Sequence, residues 1–344
     1  MLRTLCISLL LTSGMVMADE IKPGILRTPE ARFSEITDFP YEPNYLQVGD
    51  IRLHYIDVGP KDAAETILLI HGEPTWSYLF RKMIPVFLDA GYRVVAPDMV
   101  GFGRSDKFAD EDAYSYVMQV DYMSEIVQAL DLSDATFFGQ DWGGLVGLRV
   151  VGRFPERFSR VVVSNTGLPS AQGLQGWIGY PLFKLAVWWE GPMTFEELRQ
   201  DITFPRWVAY NYYVDDLPIG DLMTTMGGES EVHHAYEAPF PEQRYKAATQ
   251  IMPYLVPSQL RENEVVWQDV YEQWQKPFLV AFTDSDPVTR GGERAFLNRV
   301  PTAQNVTIRG AGHFVQEDAG PEIAQLMVQF INGETLPAEI SVSP

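Results

Sequence analysis

Gly139-Gln140-Asp141-Trp142-Gly143-Gly144 is the stretch on which the fold turns. An apolar run, Ala135 to Phe138, leads into it, and a run with helical spacing, Leu145 to Phe154, leads out to Pro155. Glycines stand two before, two after and three after the central residue. This is the spacing of a nucleophile elbow, G-x-S-x-G, with Asp141 in the serine position. A strained strand-to-helix turn leaves no room for side chains beside the nucleophile, so glycines are needed there. A lone G-x-D-x-G reads first as an aspartate capping a helix. The strand before it, the helix after it and the partners further along the chain favour the nucleophile.

The same alternation extends both ways. Ile51 to Ile56, Thr66 to Ile70 and Arg93 to Ala96 read as strands before the elbow, with helical spacing at Phe80 to Ala90 and Tyr116 to Leu130. Val161 to Ser164, Phe278 to Phe282 and Asn305 to Ile308 read as strands after it, followed by a helix from Pro321 to Ile331. Short strands that are apolar on both faces and alternate with helices predict a parallel sheet covered on both sides. Residues 19–44, with four prolines, read as an irregular lead-in packed on the core. Residues 167–240 are rich in Trp, Tyr, Pro and Gly and carry helical pieces at Tyr180–Trp189 and Thr194–Gln200. They read as a helical cap over the carboxyl ends of the strands, where ligands bind in open α/β sheets. The expected division is 1–18, a signal peptide; 19–166, first part of the core; 167–240, cap; 241–344, second part of the core.

A carboxylate in the serine position changes the chemistry. It needs no deprotonation and can displace a leaving group from saturated carbon, giving an ester of its own side chain. His71-Gly72-Glu73-Pro74 follows a strand, where the backbone N–H of Glu73, together with that of Trp142, is placed to form an oxyanion hole. Of five histidines, only His313, in Gly310-Ala311-Gly312-His313-Phe314, comes late enough and sits on a strand-to-helix loop, so it is the expected base. Its orienting carboxylate is Asp284 or Asp286, from Thr283-Asp284-Ser285-Asp286-Pro287, with Asp286 favoured by the D-P step. His233-His234 is an adjacent pair that shares no face, and no metal motif is found. Trp142 either packs or donates its indole N–H to a departing halide. Trp177, Trp188, Trp189 and Trp207 are possible second donors, and Trp177 is taken first because it lies closest after the core strand.

Composition narrows the partners. A net charge of −20 argues against nucleic acid, which needs clustered cations. Arg3, the apolar run Leu5 to Leu11 and Val16-Met17-Ala18 read as an export signal cleaved before Asp19, which places the mature chain in the periplasm or outside the cell. That run is too short to span a bilayer, and no other stretch is long enough. The one cysteine, Cys6, lies inside the signal, which excludes disulfides and thiolate chemistry from the mature chain. No pattern sets an oligomeric state.

Several segments taken together resemble the haloalkane dehalogenases, a family of α/β-hydrolases. They are His71-Gly72-Glu73-Pro74-Thr75-Trp76-Ser77-Tyr78-Leu79-Phe80-Arg81, Pro97 to Lys107, Gln140-Asp141-Trp142-Gly143-Gly144, Ala238-Pro239-Phe240-Pro241 and Asp284 to Gly291. The resemblance runs from about Tyr45 to Ile331 and is weakest between Gly167 and Met226. Glu73 in the HGEP loop resembles the subfamily with an Asp-His-Asp triad and two halide-binding tryptophans. The resemblance implies an α/β-hydrolase core with an inserted cap and a small halogenated aliphatic substrate. It also implies that Asp141 is alkylated with loss of halide and that water activated by His313 cleaves the ester, without a cofactor. An epoxide hydrolase of the same fold is the nearest rival. It would need cap acids such as Tyr210, Tyr212, Tyr213 or Tyr236. A ligand-binding protein on an inactive hydrolase fold would need a broken triad.

Overall fold

The buried strands of the computed structural model assemble where their apolar faces require cover on both sides. The structure describes residues 19–201, 203–225 and 232–342; the expected signal, 1–18, lies outside them. In chain order the strands are β1 (Asp19–Lys22), β2 (Ile25–Arg27), β3 (Asn44–Val48), β4 (Ile51–Val58), β5 (Thr66–Ile70), β6 (Arg93–Pro97), β7 (Lys107–Phe108), β8 (Ala135–Gln140), β9 (Phe158–Ser164), β10 (Phe278–Thr283), β11 (Ala303–Arg309) and β12 (Glu339–Ser341). The helices are α1 (Ile84–Asp89), α2 (Tyr116–Ala129), α3 (Trp142–Arg153), α4 (Gly173–Glu190), α5 (Phe195–Gln200), α6 (Phe204–Tyr213), α7 (Ile219–Thr225), α8 (His233–Glu237), α9 (Ala247–Leu255), α10 (Leu260–Asp269), α11 (Glu293–Arg299) and α12 (Val315–Ile331).

Nine strands form one sheet in the order β12-β11-β10-β9-β8-β5-β6-β4-β3. β4 pairs antiparallel with β3 and β6, and every other pair is parallel. Every residue of β8 and of β10 is buried, as expected of strands covered on both faces. The strand order reverses between β5 and β8, with β6 on one side and β9 on the other. That switch point opens a crevice at the carboxyl ends of β5 and β8, where His71-Gly72-Glu73 and Asp141 emerge.

The lead-in differs from expectation. β1 and β2 join β7 in a separate three-stranded antiparallel sheet. Strands of two to four residues are too short to show alternation. Tertiary contacts hold this sheet: Ile25 and Leu26 are buried, and Arg27 forks onto Asp106 at 2.7 and 2.9 Å. Between β9 and β10 the chain is helical. α4 to α8 fall within 167–240, and α9 and α10 continue the helical run to Asp269. Thr194 and Glu197 form a capping box that starts α5. The last long helix starts earlier than expected, at Val315. It bends at Ala319, two residues before Pro321, where the missing N–H interrupts the ladder.

Candidate active site

The elbow is built by close approach. Asp141 has φ 52° and ψ −128°, a left-handed conformation that a non-glycine residue holds only under constraint. A Cβ on Gly143 would collide with the Ile70 carbonyl, and one on Gly139 would stand 2.7 Å from the Gly143 carbonyl oxygen. The tight turn is pinned from β9, since Asp141 N–H donates to Asn165 O at 3.0 Å and the Thr166 hydroxyl donates to Asp141 O at 2.6 Å. As a result, the Asp141 carboxylate stands at the switch point above the start of α3.

Its two oxygens have different surroundings. Oδ1 accepts the backbone N–H of Glu73 at 2.9 Å. Oδ2 lies 3.5 Å from His313 Nε2. The loop that carries Glu73 is held by His71, whose Nδ1 bonds the Gly72 carbonyl at 2.8 Å and whose Nε2 accepts Met99 N–H at 3.0 Å. Burial lowers the basicity of His71, which suits an acceptor imidazole. Asp98, next to Met99, accepts the N–H groups of Ser77 and Arg104 and bonds His54, so this motif shapes the loop beneath the site.

On its other side, His313 Nδ1 meets Asp286 Oδ1 at 3.0 Å. Asp286 is buried and also accepts the N–H of Val288 at 2.7 Å and the Thr289 hydroxyl. Asp284 points elsewhere: it accepts Gly310 N–H at 3.1 Å and pairs with Arg309. Asp286 is therefore the carboxylate on the imidazole. Asn165 was missed in the sequence. Its side chain ties Thr283 to the carbonyls of Gly312 and His313 at 2.9 Å each, joining the elbow, β10 and the histidine loop.

Comparison with known proteins fits this geometry. The alpha/beta hydrolase fold family matches residues 65–320. The haloalkane dehalogenase of Psychrobacter cryohalolentis is 40% identical over 90% of this chain and 98% of its own. That of Mycolicibacterium paratuberculosis is 38% identical over 89% and 98%. The chain belongs to the haloalkane dehalogenase family. Among solved members of the family, haloalkane dehalogenase DpaA from Paraglaciecola agarilytica NO2, described as tetrameric, superposes with a TM-score of 0.74. It is 33% identical, covering 88% of this chain and 96% of its own.

The structure sets Trp177, the first choice for a second donor, away from the cavities at Asp141. Trp177 is 64% exposed on α4, with the Arg261 guanidinium over its ring at 3.7 Å, and lines none of the cavities at Asp141. Trp207 on α6 takes the inner place. A chamber of about 20 Å³ is lined by Glu73, Asp141, Trp142, Phe204, Trp207, Pro253, Val256, Val288, His313 and Phe314. Among the described residues nothing accepts from the indole N–H of Trp142 or of Trp207, whereas those of Trp76 and Trp267 are committed to carbonyls at 2.9 and 2.8 Å. Trp142 is fixed edge-on against Tyr116 at 5.2 Å.

A cavity of about 350 Å³ reaches the chamber at His313, Trp207 and Val288. A second, of about 290 Å³, reaches it at Asp141, Phe204 and Val256. None of these linings includes a tyrosine. Tyr236 donates to Glu317, Tyr212 stacks on Tyr254, and Tyr210 packs on Phe195. The acids an epoxide hydrolase would need line none of these cavities. His233, on the cap surface, bonds Asp221 at 3.1 Å.

The electrostatics set three ionisable groups apart. Burial pulls the His313 imidazolium down, but Asp286 and Asp141 on either side outweigh it and push the group up to about 10. Burial likewise raises the Asp286 carboxyl, but the His313 charge and the bonds from Thr289 and Val288 leave it below its ordinary value. Glu73 is raised well above the usual carboxylate range by burial and then by the Asp141 charge, and its Oε1 has no partner. Both causes favour its neutral form beside the nucleophile.

Proposed function

We propose that this chain hydrolyses small haloalkanes through an alkyl ester of Asp141. The observation that carries this is the division of the Asp141 carboxylate: Oδ1 on the Glu73 N–H, Oδ2 toward His313 and the chamber. Oδ2 attacks the saturated carbon and the carbon–halogen bond breaks, with the halide leaving between the indole N–H groups of Trp142 and Trp207. Two neutral donors stabilise the anion without holding it as a full cation would. In the resulting ester the carbonyl oxygen is Oδ1, already in the oxyanion hole. The Trp142 N–H, in the open first turn of α3, supplies the second donor.

Esterification also prepares the base. Alkylated Asp141 carries no charge, so one of the two groups that hold the proton on His313 is removed. Burial then favours the neutral imidazole, which takes a proton from water while Asp286 steadies the cation. The ester cleaves to alcohol and free Asp141, and the sum is haloalkane plus water to alcohol, halide and a proton. Replacing His313 by Phe tests the scheme. One equivalent of halide should be released, and the protein mass should rise by the alkyl group. Steady halide turnover with no adduct would refute the division of roles.

The mature chain begins, on this reading, at Asp19 after export. The support is Arg3, the apolar run after it and the small residues before Asp19. N-terminal sequencing of protein recovered from the periplasm or medium should start there; an intact Met1 in the cytoplasm would refute it.

A further inference from the structure

Helix α4 presents two apolar faces; the inner one is packed, and the outer one is largely uncovered among the described residues. Its inner side packs on α6: Val187 is buried with Val208 and Ala209, and Phe183 stacks on Phe204 at 5.6 Å. Its outer side carries Leu174, Trp177, Leu182, Leu185, Trp188 and Trp189, all at least 56% exposed. At about 100° per residue they fall within an arc of roughly 140°, one stripe about 22 Å long at 1.5 Å per residue. Arg261 lies over one of these rings, Trp177, and the rest of the stripe faces outward.

We propose that this stripe pairs with the same stripe of a second copy of the chain, forming a two-fold dimer through the outer face of α4. Three observations select a second copy. The first is area. Three tryptophans at about 150–250 Å² each when fully buried, together with three leucines, offer on the order of 800 Å² per protomer, which is comparable to the ~800 Å² per partner in a stable interface. The second is shape: an apolar arc running along one side of a helix matches the same arc on a facing helix, and a two-fold axis uses one patch twice. The third is charge. At −20, copies of this chain repel one another over most of their surface. Along α4, however, the only charged side chains are Lys184 and the terminal Glu190. This is a place where two acidic protomers meet without opposing carboxylates. A lipid surface fits less well, because helices that lie on membranes flank the apolar face with several cations.

The test is sedimentation velocity on the mature chain at micromolar concentration, alongside the double variant Leu182→Glu/Leu185→Glu. Both positions are exposed and neither lines the chamber. The wild type is expected at twice the chain mass, with the dimer favoured further by high salt, which screens the residual repulsion. The double variant is expected at the single-chain mass, with unchanged far-ultraviolet circular dichroism. A single-chain mass for the wild type across the range overturns the proposal, and so does a double variant that still sediments as a dimer. Pelleting of a monomeric wild type with phosphatidylcholine vesicles, abolished in the double variant, would assign the stripe to lipid instead.

Discussion

Neutralising Asp141 should convert His313 from an imidazolium to an ordinary titrating base, and Asp141→Asn is the perturbation that isolates this effect. Asn has the shape of the carboxylate and, like the ester, no charge. His313 Nε2 lies 3.5 Å from Asp141 Oδ2. A unit charge at that distance contributes about 5 kcal/mol at an effective dielectric constant of ~20. Part of this is screened, because the Asp141 side chain is 17% exposed. At ~1.4 kcal/mol per pH unit, His313 should titrate about two to three pH units lower in the variant. Asp286 remains in place, so the imidazole does not fall to the low value that burial alone would give.

The assay is NMR of histidine-labelled protein from weakly acid to strongly alkaline pH, with intact mass showing that the amide is retained. In the wild type His313 should stay protonated through neutral pH and titrate at about 10. A raised histidine stabilises the fold fully below its unfolded value, near 6.5, and loses that contribution as pH climbs through the folded value. Wild-type denaturation midpoints should therefore fall between neutral pH and pH above 10, and in Asp141→Asn the fall should begin correspondingly lower. Coincident titration of His313 in the two proteins would refute the claim that alkylation of Asp141 frees the base.

The other outcomes follow from the same contacts. Asp286→Asn should keep the first-turnover halide burst and lose roughly 10⁴-fold in steady turnover, while Asp284→Asn stays near wild type; burst and steady-state kinetics distinguish them, and the reverse pattern would reassign the acid. Trp207→Phe removes one donor to the halide, worth about 1.5–3 kcal/mol, and should slow the halide-releasing step roughly 10- to 100-fold. Trp177→Phe should leave that step unchanged, as read by stopped-flow with a brominated alkane. Glu73→Gln should retain turnover within a few-fold at neutral pH and lose a protonated-carboxyl infrared band. A large loss of activity without loss of that band would mean Glu73 is ionised.

Much of the fold was legible because it is written in local spacing. β5 matches its expected bounds and β8 extends its expected run by two residues, since short apolar runs next to glycines have few alternatives. The elbow was legible for the same reason: the residues that must be small lie beside the one that reacts. His313 could be singled out because only five histidines exist and chain order removes four. Chain order reads connectivity, and connectivity survives in the sequence.

The tertiary structure decided what depends on direction. Asp284 and Asp286 are two residues apart on a turning loop, and only the folded loop sends one to the imidazole and the other to Gly310 N–H. Asn165 looks like an unremarkable residue after a strand until three distant segments converge on its amide. That Trp207 rather than Trp177 takes the inner place was not legible in the sequence, for a specific reason. α4 is apolar around most of its circumference, so periodicity cannot tell its inner face from its outer one. Which face is buried is set by how α4 packs on α6, through Phe183 and Val187 against Phe204 and Val208. That packing is a contact between helices, and no spacing within either helix encodes it.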